Sequence, residues 1–167
     1  MKPKIITIVG KSNSGKTTLL EKLITHLTQK GYKIGSVKHA HSGFEMDKEG
    51  KDSWRHKKAG AASTLVISED KIAMIKDDKT SYLEKMQFYL ADSDIILAEG
   101  FKRQNLPKIE IFRRQSVHKE PLCRDDENLI AFVTNSDYKL DVPTFGIEDI
   151  IEIAAFIELN FLNHGTQ

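Results

Sequence analysis

Short, mainly apolar runs recur along the chain, and each has the length of one buried strand. Between them, apolar residues recur every three or four positions, which is the spacing of one face of a helix. This second spacing predicts helices directly after the first run, at residues 81–90 and from residue 147 to about residue 161. Strands that alternate with helices are typical of an α/β fold, so we expect a mostly parallel sheet flanked by helices in a single domain, residues 1–167. The strand runs lie at residues 5–9, 33–37, 64–67, 72–75, 95–98, 109–112 and 129–133.

One polar segment, residues 39–52, interrupts this alternation. It is long for a connection without secondary structure in so small a domain. It also contains side chains of the types that bind metals or anions, namely His39, His41, Asp47 and Asp52. We therefore interpret the segment as a functional loop.

The charge balance narrows the range of partners. The chain has 25 lysines and arginines against 24 aspartates and glutamates, a net charge of +1. Such a balance creates no long-range field that attracts nucleic acid or an anionic membrane, so we expect neither as a partner. No stretch approaches the length of a membrane span or the apolar core of a signal peptide, which predicts a cytoplasmic protein. The single cysteine, Cys123, excludes an intramolecular disulfide.

The sequence GKSNSGKT at residues 10–17 follows the first strand run and precedes a helix. It fits Gly-x-x-x-x-Gly-Lys-Thr, the P-loop that cradles nucleotide phosphates. The two glycines let backbone N–H groups turn inward around phosphate oxygens, the lysine reaches the outer phosphates and the threonine hydroxyl binds magnesium. The alternative is a glycine-rich turn that only caps a helix. We predict that the nucleotide binds Gly10, Lys11, Ser12, Asn13, Ser14, Gly15, Lys16, Thr17 and Thr18.

An acidic residue is also needed to orient the magnesium ion, and P-loop proteins carry it on another buried strand. Glu99 directly follows the strand run at residues 95–98, and Gly100 then lets the chain bend sharply. We predict that Glu99 binds Mg²⁺ and that Glu99 and Lys16 are the catalytic residues. The alternative is a carboxylate that only caps a turn. Lys102, two residues further on, is a candidate contact for a ligand phosphate or a solvated surface cation.

Base selectivity is expected after the strand run at residues 129–133. Guanine-binding P-loop proteins often carry Asn/Thr-Lys-x-Asp there, and the carboxylate accepts two hydrogens from guanine. Thr134 and Asp137 match this pattern, whereas Asn135 replaces the lysine. An adenine would leave the acid without its donors, which costs on the order of 1–3 kcal/mol, so we predict GTP over ATP. The alternative is a polar turn closed by an Asx cap.

Several sequence blocks together resemble the MobB family, the P-loop adaptor proteins of molybdopterin guanine dinucleotide biosynthesis. The resemblance extends from the first residues to about residue 114. It implies a GTP-binding homodimer with weak GTPase activity that assists the nucleotidyltransferase MobA in attaching GMP to molybdopterin, the substrate expected to bind. The blocks are GKSNSGKTT (10–18), VKHAH (37–41), KDSWRH (51–56) with AGA (59–61), EGFK (99–102) and PKIE (107–110).

The additional blocks contain further candidates for anion binding. Lys38 and His39 follow the second strand run, at the end of the sheet where open α/β folds bind ligands. Arg55 has a planar guanidinium suited to two-pronged anion contacts. We therefore consider Lys38, His39, Arg55 and Lys102 as contacts for a phosphate of the nucleotide or the pterin. His39 and His41 suit a zinc site only if other ligands join them, and otherwise they are exposed loop histidines.

Two carboxylates of the polar segment have alternative roles. Asp47 and Asp52 are candidates for holding water bound to the magnesium ion. Asp52 also begins the pattern Asp-Ser-Trp-Arg, which is typical of a helix that starts with an aspartate cap.

The predicted mechanism is slow GTP hydrolysis. The P-loop captures the phosphates, Lys16 and Mg²⁺ neutralise their charge, and a water held near Glu99 and the 39–52 segment attacks. We identify no residue whose spacing marks it as a water-positioning glutamine, so fast turnover is not expected. One alternative is a small-molecule kinase with an arginine lid formed by Arg103, Arg113 or Arg114, although the last two follow a strand and are expected to form a solvated edge. The other is a scaffold gated by nucleotide without hydrolysis.

Overall fold

The computed structural model describes residues 2–40, 43–117 and 119–162. The chain divides into two compact units, Met1–His39 with Lys85–Gln167, here called the main unit, and Ala40–Glu84, here called the inserted unit. The single-domain organisation stays a prediction.

The elements are β1 (Lys4–Val9), α1 (Lys16–Gln29), β2 (Ile34–Lys38), α2 (Asp52–Lys58), β3 (Ser63–Ile67), β4 (Ile72–Lys76), α3 (Tyr82–Tyr89), β5 (Ile95–Glu99), β6 (Lys108–Phe112), β7 (Leu129–Thr134), β8 (Thr144–Phe145) and α4 (Ile150–Ile157), followed by a π-helical turn (Glu158–Leu162).

The main unit is built on one sheet of six parallel strands in the order β2-β5-β1-β6-β7-β8. Strand β1 lies between β5 and β6, so the residues that follow these three strands meet at one edge of the sheet. Five of the six residues of β1 and all five of β6 are buried. Continuous burial of this kind is expected where helices cover both faces of a parallel sheet. The predicted α/β fold with a mostly parallel sheet is confirmed.

Alternate residues of each central strand join different apolar clusters. Ile6 and Ile8 of β1 pack with the apolar face of α1 and with Ile153 and Ile157 of α4. Ile5, on the opposite side of β1, packs with Ile96 of β5 and Met86 of α3. Because strand side chains alternate between faces, the helix-spaced leucines of α1 cover one face of the sheet and α3 the other. Those leucines are Leu19, Leu20, Leu23 and Leu27.

The inserted unit contains α2 and a separate antiparallel hairpin of β3 and β4. The hairpin register runs from Ser63 opposite Lys76 to Ile67 opposite Ile72, and the Ser68 N–H donates to the Lys71 carbonyl at the turn. Most apolar side chains of the hairpin are exposed, with Ile72 at 74% of its full accessibility. The structure therefore does not bury these two predicted strands in the parallel sheet.

Each of the seven strand runs forms a strand, but two details of the prediction are wrong. The last helix was expected from residue 147 and begins at Ile150, because the Gly146 N–H donates to the Asp149 carboxylate (2.7 Å) and closes a turn there. Asp52 was a candidate helix cap, yet Lys51 occupies the cap position of α2 and no side chain caps it. Instead the Asp47 carboxylate accepts hydrogen bonds from the Lys48 N–H (2.8 Å) and the Ser53 hydroxyl (3.1 Å).

Within the part of the chain that the structure describes, no helix is long and apolar enough to cross a membrane.

Candidate nucleotide-binding site

The loop between β1 and α1 depends on its two predicted glycines. Gly10 has a φ of 147°, and a β-carbon there would lie 2.5 Å from the Ile111 carbonyl oxygen and 2.6 Å from the Ser14 hydroxyl oxygen. Gly15 has a φ of 96° and precedes the first residue of α1. Side chains are strained in this region of φ, and at residue 10 a side chain would also clash with backbone. The loop conformation thus requires glycine at both positions.

The first turn of α1 presents open hydrogen-bond donors. Its N–H groups have no partner within the helix, no side chain caps it, and the turn contains no acidic residue. The Ser14 hydroxyl is buried and has no hydrogen-bond partner among the described residues. The partial positive charge of the helix N-terminus adds to these donors. This combination favours an anion with several acceptor oxygens.

Lys16 is held by its own loop. Its ammonium group donates to the Lys11 carbonyl oxygen over 2.9 Å. Burial lowers the pKa of Lys16, Glu99 opposes this effect, and the positive charges of Lys38 and Lys102 lower the pKa further. A phosphate beside Lys16 would stabilise its charged form.

Glu99 lies where it was expected, at the end of β5 and next to the loop. Its register partners are Ile8 of β1 and Lys38 of β2. The Thr17 hydroxyl donates to Glu99 Oε2 over 3.0 Å, although the two residues are 82 positions apart in the chain. A hydroxyl and a carboxylate are oxygen ligands of the kind that Mg²⁺ prefers. Among the described residues no group of three histidine, cysteine or acidic side chains could hold a metal, so the ion would take its other ligands from phosphate and water.

Three of the four predicted phosphate contacts lie in the main unit beside Glu99. The His39 N–H donates to the Glu99 carbonyl oxygen over 3.0 Å, and its ring lies 4.7 Å from the ring of Phe101. Gly100 and Phe101 both have positive φ, 95° and 57°, so the chain turns sharply where the sequence predicted a bend. Lys38 and Lys102 contribute positive charge around Lys16. The candidate site is therefore flanked by a small cluster of cations.

The remaining candidates of the polar segment belong to the inserted unit. Asp47 contacts Lys48 and Ser53, and Asp52 forms an ion pair with Arg55 over 3.9 Å, with both side chains largely exposed. His41 lies outside the described residues. The roles predicted for these four residues in magnesium, anion or zinc binding stay predictions.

The candidate base-binding residues follow β7. Thr134 is buried, and its hydroxyl accepts the Ser136 N–H over 3.0 Å. The Asn135 side chain accepts the Arg114 N–H over 2.9 Å. The Asp137 side chain is 96% exposed and pairs with Arg114 over 2.8 Å. Recognition of guanine by Asp137 stays a prediction, and in the structure its donors come from Arg114.

Arg113 is a site residue that the sequence reasoning missed. It was expected on a solvated edge, but it is half-buried, and its Nε–H donates to the Ser14 carbonyl oxygen over 3.0 Å. Its guanidinium nitrogens lie 3.0 and 3.1 Å from the point where a β-carbon on Gly15 would be. The expectation is confirmed for Arg114, which is exposed, and Arg103 is exposed as well. The missing information was the strand order, because only the pairing of β6 with β1 brings residue 113 to the loop.

Two buried ionisable residues of β6 fix the chain segment that precedes β7. Lys108 is 1% exposed and pairs with Asp126 over 3.1 Å. Glu110, also 1% exposed, accepts the backbone N–H groups of Leu122 and Cys123. Burial raises the pKa of the Glu110 carboxyl, and burial raises the pKa of the Cys123 thiol to about 12. A thiol with so high a pKa is unreactive, so Cys123 is a packing residue.

A parallel sheet with the phosphate-binding loop on its central strand and an acidic residue at the end of the adjacent strand defines a P-loop NTPase-like nucleotide-binding fold. A family model described as "Molybdopterin guanine dinucleotide synthesis protein B" matches residues 5–135. The chain therefore belongs to the MobB family, and its predicted place in molybdopterin guanine dinucleotide biosynthesis is confirmed.

The similarity of the chain to individual proteins supports the assignment to the MobB family. The chain is 39% identical over 164 residues to the molybdopterin-guanine dinucleotide biosynthesis adapter protein of Haemophilus influenzae, covering 96% of this chain and 90% of that protein. It is 35% identical over 158 residues to the adapter protein of the same name from Escherichia coli, covering 92% and 90%. The crystal structure of Bacillus subtilis MobB is 28% identical, with a TM-score of 0.73 and coverage of 96% of this chain and 99% of that one.

Proposed function

We propose that this chain binds GTP and Mg²⁺ and assists a MobA-type nucleotidyltransferase in attaching GMP to molybdopterin. The observation that carries the nucleotide part is the hydrogen bond between Thr17 and Glu99 directly beside the glycine loop. The adapter role is supported by the names of the relatives from two bacteria. We further propose that the protein acts in the cytoplasm.

Phosphate binding exchanges contacts within the loop for contacts with the ligand. The Lys16 ammonium leaves the Lys11 carbonyl for a phosphate oxygen, and the open N–H groups of α1 donate to the same phosphates. The Ser14 hydroxyl gains the partner that it lacks among the described residues. Each charge-assisted hydrogen bond of this kind contributes roughly 1.5–3 kcal/mol. Together these contacts favour a triphosphate or diphosphate over a single small anion.

Thr17 and Glu99 are the residues that hold Mg²⁺ in this proposal. The ion, when bound, would neutralise negative charge on the phosphates. Glu99 has the further role of holding the attacking water beside the terminal phosphate. None of the proposed site residues is a glutamine that positions the attacking water. Hydrolysis by the isolated protein is therefore slow, and GTP acts mainly as a bound effector.

Lys38, His39 and Lys102 are the proposed contacts for a phosphate of molybdopterin. Lys38 and Lys102 are near enough to Lys16 to lower its pKa, and the His39 N–H is fixed by the Glu99 carbonyl. A second anion at these residues would relieve the repulsion among the three lysines. Removing Lys38 or Lys102 is therefore expected to weaken molybdopterin binding more than GTP binding.

The proposal includes a homodimer, and the hairpin of the inserted unit supports it. Three apolar side chains on one face of the hairpin, Leu65, Ile67 and Ile72, are each at least half exposed. An exposed apolar surface of this kind is more common at interfaces than on monomers. Sedimentation equilibrium of the wild type and of Ile67→Lys tests this part. A monomeric wild type at all concentrations would contradict the dimer without affecting the nucleotide proposal.

Calorimetric titration with GTP, GDP, ATP and ADP, with and without Mg²⁺, tests the nucleotide part. GTP is expected to bind more tightly than ATP, and Mg²⁺ is expected to strengthen GTP binding. Lys16→Ala should weaken binding by roughly ten- to a hundredfold, since one charge-assisted contact is lost. The matched control is Lys22→Ala on the same helix, whose lysine pairs with Glu148 at the surface. Equal binding by wild type and Lys16→Ala would contradict the proposal.

Asp137→Asn tests base recognition separately. If Asp137 accepts hydrogens from guanine, the variant loses the preference for GTP over ATP and keeps its affinity for phosphate. An unchanged preference would leave Asp137 only as the ion-pair partner of Arg114. Product analysis then separates the mechanisms, because free phosphate indicates a GTPase, a phosphorylated acceptor a kinase, and neither product a nucleotide-gated scaffold.

The adapter role is tested by reconstitution with the nucleotidyltransferase. GMP transfer to molybdopterin is measured for the transferase alone and with this protein, in its wild-type and Lys16→Ala forms. We expect the wild type to raise product formation and Lys16→Ala to have less effect. Equal stimulation by both forms would separate the adapter role from nucleotide binding.

A further inference from the structure

We infer that Arg113 binds the inner phosphates of the nucleotide, those that GDP and GTP share. This inference deepens the proposed function and rests on it, because it assigns a contact within the proposed nucleotide site. It concerns a residue to which neither the family match nor the P-loop sequence assigns a role.

Arg113 lies directly beside the glycine loop. Arg113 directly follows β6, whose residues pair with β1, the strand that leads into the loop. Its Nε–H donates to the Ser14 carbonyl oxygen, and the rest of its guanidinium packs over the α-carbon side of Gly15. The side chain is thus in direct contact with the two loop residues that precede α1. A guanidinium has five N–H donors, and this bond uses one of them.

The charge of Arg113 also favours an anionic ligand. Arg113 is half-buried, and no carboxylate among the described residues lies within ion-pair distance of it. Its neighbour Arg114 is exposed and pairs with Asp137. A partly buried cation without a counter-charge is unfavourable unless a ligand supplies one. Beside a loop that presents N–H donors to anions, the ligand of matching chemistry is a phosphate.

The position of Arg113 relative to Glu99 indicates which phosphate it contacts. Strand order places Glu99 and Arg113 on opposite sides of β1, since β5 and β6 are its two neighbours. Thr17 and Glu99 lie together on the β5 side, so they would hold Mg²⁺ there, beside the terminal phosphate. The β6 side leads on to β7 and the candidate base-binding residues. Arg113 therefore faces the part of the nucleotide between the terminal phosphate and the base.

The experiment compares three substitutions of Arg113 in titrations with GTP and GDP in the presence of Mg²⁺. Arg113→Gln retains an N–H donor for the Ser14 carbonyl and removes the charge. Arg113→Lys retains the charge and loses the planar fork, whereas Arg113→Ala loses both. The matched control is Arg124→Ala, which removes an exposed arginine that pairs with Glu120 and Asp125. Thermal unfolding without nucleotide shows whether each variant folds.

We expect Arg113→Gln and Arg113→Ala to weaken the binding of GTP and the binding of GDP by the same factor, roughly tenfold or more. Arg113→Lys should keep most of the affinity, and Arg124→Ala should bind as the wild type does. The rate of single-turnover hydrolysis at saturating GTP should be unchanged in the control variant Arg124→Ala. The dependence of affinity on salt should be weaker in Arg113→Gln than in Arg113→Lys, because salt screens a charge contact.

Two results would overturn the inference. Wild-type affinity in Arg113→Gln would show that the residue only fixes the Ser14 carbonyl. Weaker GTP binding with unchanged GDP binding would assign Arg113 to the terminal phosphate instead. Failure of the proposed function is a separate result, since the wild type would then bind no nucleotide in the first titration. If Arg113→Ala does not fold, the contrast between glutamine and lysine still decides the question.

Discussion

The main unit and the inserted unit differ in how far the residues of their strands are buried. In β1 five of six residues are buried, whereas in β3 only Thr64 is buried among five. Both strands appear in the sequence as short runs rich in β-branched residues, so the runs alone do not distinguish them. The difference comes from what packs on each strand, namely helices on both faces in one case and exposed surface in the other. Strand propensity is therefore local, whereas burial depends on the rest of the fold.

The same comparison applies to polar groups. The main unit buries Lys108 and Glu110 with fixed partners and brings Thr17 to Glu99. In the inserted unit the pairs Arg55–Asp52 and Lys57–Asp77 each have at least one largely exposed member. A buried pair is costly to break because it leaves an uncompensated charge, whereas an exposed pair contributes little. Matched substitutions in the two units test this difference directly.

The largest expected contrast in the loss of unfolding free energy is between Leu23→Ala and Leu65→Ala. Leu23 of α1 is fully buried, and Leu65 of β3 is 50% exposed. Loss of a buried leucine side chain costs about 3 kcal/mol in transfer and cavity energy, whereas the half-exposed leucine should cost less than about 1 kcal/mol. Urea unfolding of both variants measures the two values. If Leu65→Ala is equally costly and its cost depends on protein concentration, the hairpin is buried in a dimer.

The second-largest contrast is between Gly10→Ala and Gly50→Ala. We expect their unfolding free energies to differ by about 2 kcal/mol. Both glycines have positive φ, 147° and 86°, so both substitutions strain the backbone. Only at residue 10 does the new β-carbon meet a backbone oxygen, that of Ile111, at 2.5 Å, while Gly50 faces open space. The additional cost of Gly10→Ala should appear in the unfolding free energy and as weaker GTP binding. Equal stability of the two variants would mean that the loop adapts to a side chain.

The smallest contrast is between Asp126→Asn and Asp77→Asn, and it depends on pH. Asp126 partners the buried Lys108, so its substitution should cost about 1–2 kcal/mol at neutral pH, against about 0.5 kcal/mol or less for Asp77. Burial raises the pKa of Asp126, but hydrogen bonds from Asn128 and Lys108 outweigh it and hold the pKa below the ordinary 3.8.

A lowered folded-state pKa means that the carboxylate stabilises the fold above about pH 4 and loses this effect as the pH falls further. The stability difference between wild type and Asp126→Asn should therefore be constant near neutral pH and shrink below about pH 4. Chemical unfolding at a series of pH values measures it. A difference that does not change with pH would assign the effect to packing instead of charge.

The sequence allowed prediction of features that depend on neighbours in the chain. The seven strands, the glycines of the loop, the helix that follows them and the bend at Gly100 all have local signals. Thr17 and Glu99 were correctly expected to lie near each other, because the ends of parallel strands in a nucleotide-binding sheet meet at one edge. Membership of the MobB family was likewise predicted from five short sequence blocks, and the family match confirms it.

Features that depend on strand order could not be predicted in this way. Arg113 and Arg114 are identical in type and adjacent in the chain, yet one contacts the loop and the other pairs with Asp137. Both follow the end of β6, and only the position of β6 next to β1 brings the first one to the loop. Burial of Lys108 and Glu110 is a similar case, since both look like surface residues in the sequence.

Because the Lys16 ammonium donates to the Lys11 carbonyl oxygen, a ligand anion competes with a hydrogen bond inside the loop. Any anion that enters must first displace a carbonyl oxygen from the ammonium, so the net gain is the difference between two hydrogen bonds. Chloride or a single phosphate offers little beyond that exchange, whereas a nucleotide also engages the other donors of the loop. The exchange is therefore expected to favour polyphosphates over small anions at this loop.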